Sequence, residues 1–182
     1  MLIGVARRFV FVANTKTAST SIEAALGEVA EIARQGSAAR KHVSWSRVRE
    51  EYGFLFDQPG FAPESFFRFG VLREPVDWVR SWYNYRLGRG DLPSATRFEA
   101  LWDAGDWVKR KDQLSHFVDA DGECLFDLLR PQGAVDEALP RICRMLGFRL
   151  PEVPRKNVSR HSLRREEIPE GLAARINAHF AR

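Results

Sequence analysis

The chain has 182 residues, enough for one domain with a substantial core. Hydrophobic residues make up 45% and charged residues 29%, which excludes a disordered chain. The net charge of +4 and pI near 9.4 suit an anionic ligand, and charge alone also leaves nucleic acid, a membrane surface or a sulfated polymer open. In chain order, Arg8–Ala13 (RFVFVA) is a continuous apolar run that reads as a buried strand. Asn14–Ser19 is a polar turn, and Thr20–Glu28 reads as a helix opened by a Thr20/Glu23 capping box. Gln35–Lys41 reads as a loop, Ser44–Tyr52 as a short helix, and Gln58–Glu64, with two prolines and a glycine, as a loop. Phe66–Leu72 (FFRFGVL) is the second strand, and Pro75 stands at the first position of a helix continuing over Val76–Leu87. Further on come a helix opened by a Thr96/Glu99 pair, a helical stretch at Asp112–Phe117, a short strand at Cys124–Leu129, and a helix over Val135–Leu146 closed by Gly147. Pro151–Leu163 is a basic loop and Pro169–Ala181 a terminal helix.

Strands alternating with helices predict a single α/β domain over 1–182 with a parallel sheet, and binding sites in such folds lie at the carboxyl ends of strands. Both clear strands run into chemically interesting loops. The first loop, Lys16-Thr17-Ala18-Ser19-Thr20-Ser21, joins a strand to a helix with small residues, a full positive charge and four hydroxyls. Backbone N–H groups and the helix dipole at such a turn attract a phosphate or sulfate. It is not a Walker A loop, because the lysine precedes the turn and the spaced glycines are missing. In the second, Arg73 sits at a strand end and Ser81 about two helical turns further on, a fork and a hydroxyl that suit a phosphate monoester. Taken separately, each segment also fits a blander reading: a capped helix with a solvated lysine, and an arginine at a strand end with a buried or capping serine.

Taken together the two loops resemble those of the sulfotransferases. That family binds the 5′-phosphosulfate of 3′-phosphoadenosine-5′-phosphosulfate (PAPS) through a Lys-Thr-Gly-Thr-Thr-Ser loop and the 3′-phosphate through Arg-x-Pro-(x)5-Ser. This chain has Lys16–Ser21 and Arg73-Glu74-Pro75 with Ser81. The carbohydrate-type branch, with bacterial members, is the most similar. Lys41-His42-Val43 resembles its His-containing segment, Phe67–Pro75 its second motif, and Asn157-Val158-Ser159 its late Asn-x-Ser. Two departures stand out: Ala18 replaces the usual glycine, and Trp78 stands where many relatives have an arginine.

The resemblance implies a P-loop-like three-layer fold with a central parallel sheet flanked by helices. It implies Lys16, Thr17, Ala18, Ser19, Thr20 and Ser21 on the 5′ end of PAPS, with Lys16 on the bridging and leaving oxygens, and Arg73 and Ser81 on the 3′-phosphate. His42 is the expected general base, an imidazole near its free pKa, with Glu23, Glu50 and Glu51 behind it. Arg155 and Lys156, with Arg160 and His161, are expected to close over the nucleotide or to meet the acceptor. Trp45 is a candidate for acceptor contact, whereas Trp78, Trp82 and Tyr85 form a stripe expected in the core. The implied reaction moves a sulfuryl group to a hydroxyl acceptor, a saccharide fitting best, and requires no metal. A small-molecule kinase, an inactive PAPS- or nucleotide-binding protein and a nucleic-acid-binding module are the rivals. Nucleic acid is not the expected partner, because no dense basic patch is interleaved with aromatics. Cys124 and Cys143 form neither a metal spacing nor a disulfide framework, Met1–Arg8 lacks a signal-peptide layout, and no apolar run is long enough to span a membrane. A cytoplasmic location is expected.

Overall fold

The computed structural model describes residues 1–105, 112–124, 126–149 and 163–181. The elements are β1 (Leu2–Gly4), β2 (Phe9–Val12), α1 (Ser19–Leu26), β3 (Ile32–Ala33), α2 (Ala38–Lys41), α3 (Trp45–Glu51), α4 (Gly53–Phe56), β4 (Phe67–Leu72), α5 (Pro75–Arg89), α6 (Phe98–Ala104), β5 (Leu128–Pro131), α7 (Val135–Met145) and α8 (Glu170–Phe180). They fall into two compact units, Met1–Leu72 with Gln113–Lys156 and Arg73–Asp112 with Asn157–Arg182.

The first unit is α/β. Its sheet has the order β3-β1-β2-β4-β5. β2, β4 and β5 run parallel, while β1 pairs antiparallel with both β2 and β3. The expected parallel sheet therefore carries an antiparallel edge. The cause is the Val5–Arg8 connection, too short for the crossover a parallel pair needs. Arg8, read as the first strand residue, instead takes a left-handed conformation in that connection (φ 55°).

β2 is buried at every position because both of its faces are covered. Phe9 and Phe11 pack with Phe69 and Val71 of β4 against Ile22 and Leu26 of α1 and Leu139 and Ile142 of α7. Val10 and Val12 face the opposite way, into a cluster with Trp45, Val48, Phe56, Phe66 and Phe117. Helices thus flank the sheet on both faces. α7 closes as expected: Gly147 (φ 77°) donates to the Arg144 carbonyl (3.1 Å) and Phe148 to that of Cys143 (3.0 Å), a Schellman arrangement. Cys124, expected in a strand, forms only an isolated bridge with Val118, and the strand itself begins at Leu128.

The second unit is helical. Val76, Trp78, Val79 and Tyr83 of α5 pack with Phe98, Leu101 and Trp102 of α6 and with Leu172 and Ile176 of α8. Pro75 occupies the first turn of α5 as expected, and the Glu74 carboxylate caps it by accepting the Asp77 N–H (2.9 Å). The Thr96/Glu99 capping box does not form: α6 begins at Phe98 behind Arg97, with no side-chain cap. Among the described residues no helix is long and apolar enough to cross a membrane.

Candidate functional site

The Lys16 turn is built on a buried asparagine. Asn14 accepts the Thr15 N–H on its side-chain oxygen (2.7 Å) and the Thr17 hydroxyl proton on its carbonyl (3.0 Å). Its amide donates to Oε1 of Gln113 (3.4 Å), so a distant segment braces the turn from beneath. Lys16 and Ala18 both take left-handed backbone conformations (φ 63° and 59°). For residues with a Cβ this costs about 1–2 kcal/mol each, a strain typical of binding turns. Ala18 thus occupies a conformation that glycine adopts without strain, which is where the resembling loops carry glycine.

α1 starts directly after this turn. Its N-cap is Ala18, no side chain caps it, and its first turn holds no carboxylate. Ser21 N–H and Ile22 N–H both reach back to the Ala18 carbonyl (3.0 and 3.5 Å). The expected Thr20/Glu23 capping box is absent. Thr20 is already inside the helix, and Glu23 is drawn away by tertiary charges, accepting from the Met1 ammonium (3.0 Å) and Lys41 Nζ (3.3 Å). Glu23 is buried, and these cations compensate it.

Of the turn's hydroxyls, that of Thr17 is fully buried and spends its proton on Asn14. Ser19 is buried, Thr20 and Ser21 are half-buried, and Lys16 is half-buried beside them. Thr20 Oγ1 accepts from Lys41 Nζ (2.9 Å).

His42 belongs to the same cluster. It terminates α2, and its Nδ1 lies 2.7 Å from the Ala13 carbonyl at the end of β2. A carbonyl only accepts, so Nδ1 carries the proton and the lone pair is on Nε2. Burial pushes the imidazole down from 6.5 to about 4; the Ala13 bond opposes that shift and Lys41 adds to it. The expected titration near the free value is therefore corrected: His42 is neutral through the physiological range.

This gives a stability prediction. The unfolded chain takes up a proton on His42 near pH 6.5, but the folded one resists until about pH 4. Proton uptake thus favours unfolding, and the neutral-His42 contribution to stability, intact above pH 6.5, is lost as pH falls through that window. Wild-type melting temperature is expected to fall more steeply between pH 7 and 4.5 than that of His42→Gln. Parallel slopes in thermal melts would contradict the assignment.

The other proposed bases are engaged elsewhere. Glu50 pairs with Arg47 (3.5 Å), and Glu51 with Arg47 (2.5 Å) and with Arg34. Trp45, expected as an acceptor contact, is instead core. It lies edge-on to Phe56 and Phe126 (5.8 and 5.7 Å), because α3, capped by Ser44, turns it inward onto the sheet.

In the second unit, Arg73 is half-buried just ahead of α5, and Ser81 is half-buried on that helix. Burial lowers the Arg73 guanidinium below its ordinary value, with Asp77 and Glu74 opposing the shift and Arg80 adding to it. Arg80 is committed to Asp77 (2.9 Å) and to the Leu163 carbonyl (3.3 Å). Of the aromatic stripe, Trp78 is core, edge-on to Phe180 (5.8 Å), and Trp82 is half-buried. Tyr85 is exposed and receives the Arg89 guanidinium on its hydroxyl (2.8 Å). Arg155, Lys156, Asn157–Ser159, Arg160 and His161 lie outside the described residues.

Asn14, Gln113 and Lys41 carry no role in the sequence reading. Asn14 was detectable as an asparagine at a strand-to-turn junction, a place where its side chain mimics a backbone turn. Gln113 lies 99 residues from its partner and gives no local signal. Comparison with protein-family models, curated proteins and solved structures found no match for this chain.

Proposed function

We propose that the chain is a PAPS-dependent sulfotransferase with a P-loop-like sheet and that it sulfates a hydroxyl acceptor, a saccharide being the favoured class. The carrying observation is the Lys16 turn. A doubly covered strand runs into two left-handed residues, one of them a lysine, and a helix start that has neither a cap nor a carboxylate. Such a turn presents N–H groups and positive potential to an anion. β2 and β4 are parallel neighbours, with Val12 opposite Gly70, so the chain leaves both strands at the same end of the sheet.

In this reading Lys16 neutralises charge on the bridging oxygen as the S–O bond to the nucleotide breaks. The Thr17, Ala18 and Ser19 amides and the Ser19, Thr20 and Ser21 hydroxyls hold the 5′ end. Thr17 serves through its N–H, since its hydroxyl is spent on Asn14. Arg73 and Ser81 take the 3′-phosphate. The acceptor oxygen attacks sulfur in line, a new S–O bond forms, and its proton passes to Nε2 of His42. Orientation and charge stabilisation then supply most of the rate. Two free cysteines, one exposed and one buried, support a reduced, cytoplasmic setting.

The test is release of 3′-phosphoadenosine-5′-phosphate from PAPS with a panel of saccharide and simpler alcohol acceptors, with and without EDTA. Acceptor-dependent release that EDTA leaves unchanged is expected. Magnesium-dependent ATP turnover with no PAPS turnover would instead make the chain a kinase.

A further inference from the structure

Lys41 holds a place that the two motifs do not explain. It is the last residue of α2, its ammonium is largely buried, and it reaches the first turn of α1 from outside that helix. It makes two bonds, 2.9 Å to Thr20 Oγ1 in that turn and 3.3 Å to Glu23 Oε2 in the next. Glu23 is buried and anchors the ammonium from beneath. His42, the next residue, is pinned to Ala13, so the pair is held against the turn at two points.

A lysine ammonium only donates, whereas a hydroxyl has one proton and two lone pairs. The Lys41 bond therefore occupies an acceptor side of Thr20 and forces the Thr20 proton away from Lys41. Among the described residues no acceptor takes that proton. A charge-assisted donor also polarises the hydroxyl it binds and makes it a better donor in turn. Thr17, one turn earlier, shows the opposite arrangement, with its proton consumed internally.

We infer that Lys41 is a positioning residue for the anion site: it orients and strengthens the Thr20 hydroxyl as a donor to the 5′-phosphate end of the nucleotide. This rests on the nucleotide-binding reading above. It assigns Lys41 a task distinct from that of Lys16, acting through Thr20 instead of touching the reacting atoms.

The experiment is a double-mutant cycle on calorimetric binding of 3′-phosphoadenosine-5′-phosphate, with variants Lys41→Met, Thr20→Val and the pair. Each single change is expected to weaken binding about tenfold, the scale of one charge-assisted hydrogen bond. The pair is expected to be no weaker than Thr20→Val alone, and Lys41→Arg to restore most of the loss. Adenosine 3′-phosphate, which lacks the 5′ group, is expected to bind all variants alike. Additive losses, an unchanged Kd for Lys41→Met, or equal loss with adenosine 3′-phosphate would overturn the inference. Thermal melts accompany each variant, and Lys41→Gln replaces Lys41→Met if the latter unfolds. Binding that Lys16→Ala removes and Lys41→Met leaves intact sinks the role of Lys41 alone, whereas a wild type that binds nothing sinks the functional reading with it.

Discussion

In the proposed sulfotransferase, Lys16→Ala is expected to lower sulfuryl transfer by about 10²–10³-fold, the usual cost of removing one preorganised donor to developing charge. The backbone should tolerate it. Position 16 is left-handed (φ 63°), and alanine bears about the same penalty there as lysine, as Ala18 two residues later illustrates. The turn's frame rests on Asn14, Thr17 and Gln113, which the substitution leaves in place. The protein should therefore stay folded while turnover collapses. The loss should fall on kcat more than on affinity for intact PAPS, because charge on the bridging oxygen develops only as its bond to sulfur breaks; affinity for 3′-phosphoadenosine-5′-phosphate, which already carries that charge, should fall. Steady-state kinetics on PAPS, with a thermal melt of the same preparation, separates the two effects. A variant retaining a tenth or more of wild-type turnover would remove Lys16 from the reaction.

Gly70→Ala is expected to destabilise the sheet strongly. Gly70 is in the middle of β4, paired with Val12 on one side and Leu129 on the other. It faces Phe117, and an added Cβ would lie 2.2 Å from the Phe117 ring. That ring has little room to retreat, being fully buried and edge-on to Phe126 at 5.1 Å. Either the strand or the ring must shift, costing about 1–3 kcal/mol or more for one methyl group. Against a total stability of about 5–15 kcal/mol this is a large fraction. Denaturant unfolding should show a lowered midpoint. Phe117→Leu, which shortens the opposing side chain, should cost less in the Gly70→Ala background than in wild type, because the two positions share one space. An unchanged midpoint for Gly70→Ala would mean that Phe117 does not pack there.

How much of this was legible in the sequence depends on whether the decisive interaction is local. β2 and β4 read correctly as apolar runs because both faces of each are covered, and Pro75 marked the start of α5 because its preference is intrinsic to the ring. β1 and β3 are only three and two residues long, too short for any periodicity; β1 exists because β2 offers an edge to pair with, and β3 because β1 does. The Thr20/Glu23 capping-box pattern misled for a tertiary reason. A Thr-x-x-Glu pattern states what a carboxylate can do locally, and at Glu23 two cations distant in sequence outcompete the helix end. The Lys16 turn was recognisable by residue type, but its strain and bracing were not, since both arise from Gln113 and from backbone angles that composition does not encode. His42 was found by its position, whereas its lowered pKa is a consequence of burial. The division into a sheet unit and a helical unit, falling between Leu72 and Arg73, has no Gly- or Pro-rich linker to announce it and cuts through the second motif.

The most direct measurement is calorimetric titration of the folded wild-type chain with 3′-phosphoadenosine-5′-phosphate, in the presence and absence of Mg²⁺. A saturable heat that is the same in both buffers, and that Lys16→Ala and Arg73→Ala each weaken, is the predicted result. A folded protein that gives no heat of binding at millimolar nucleotide would contradict the proposal that these two strand-end motifs grip the two phosphorylated ends of one nucleotide.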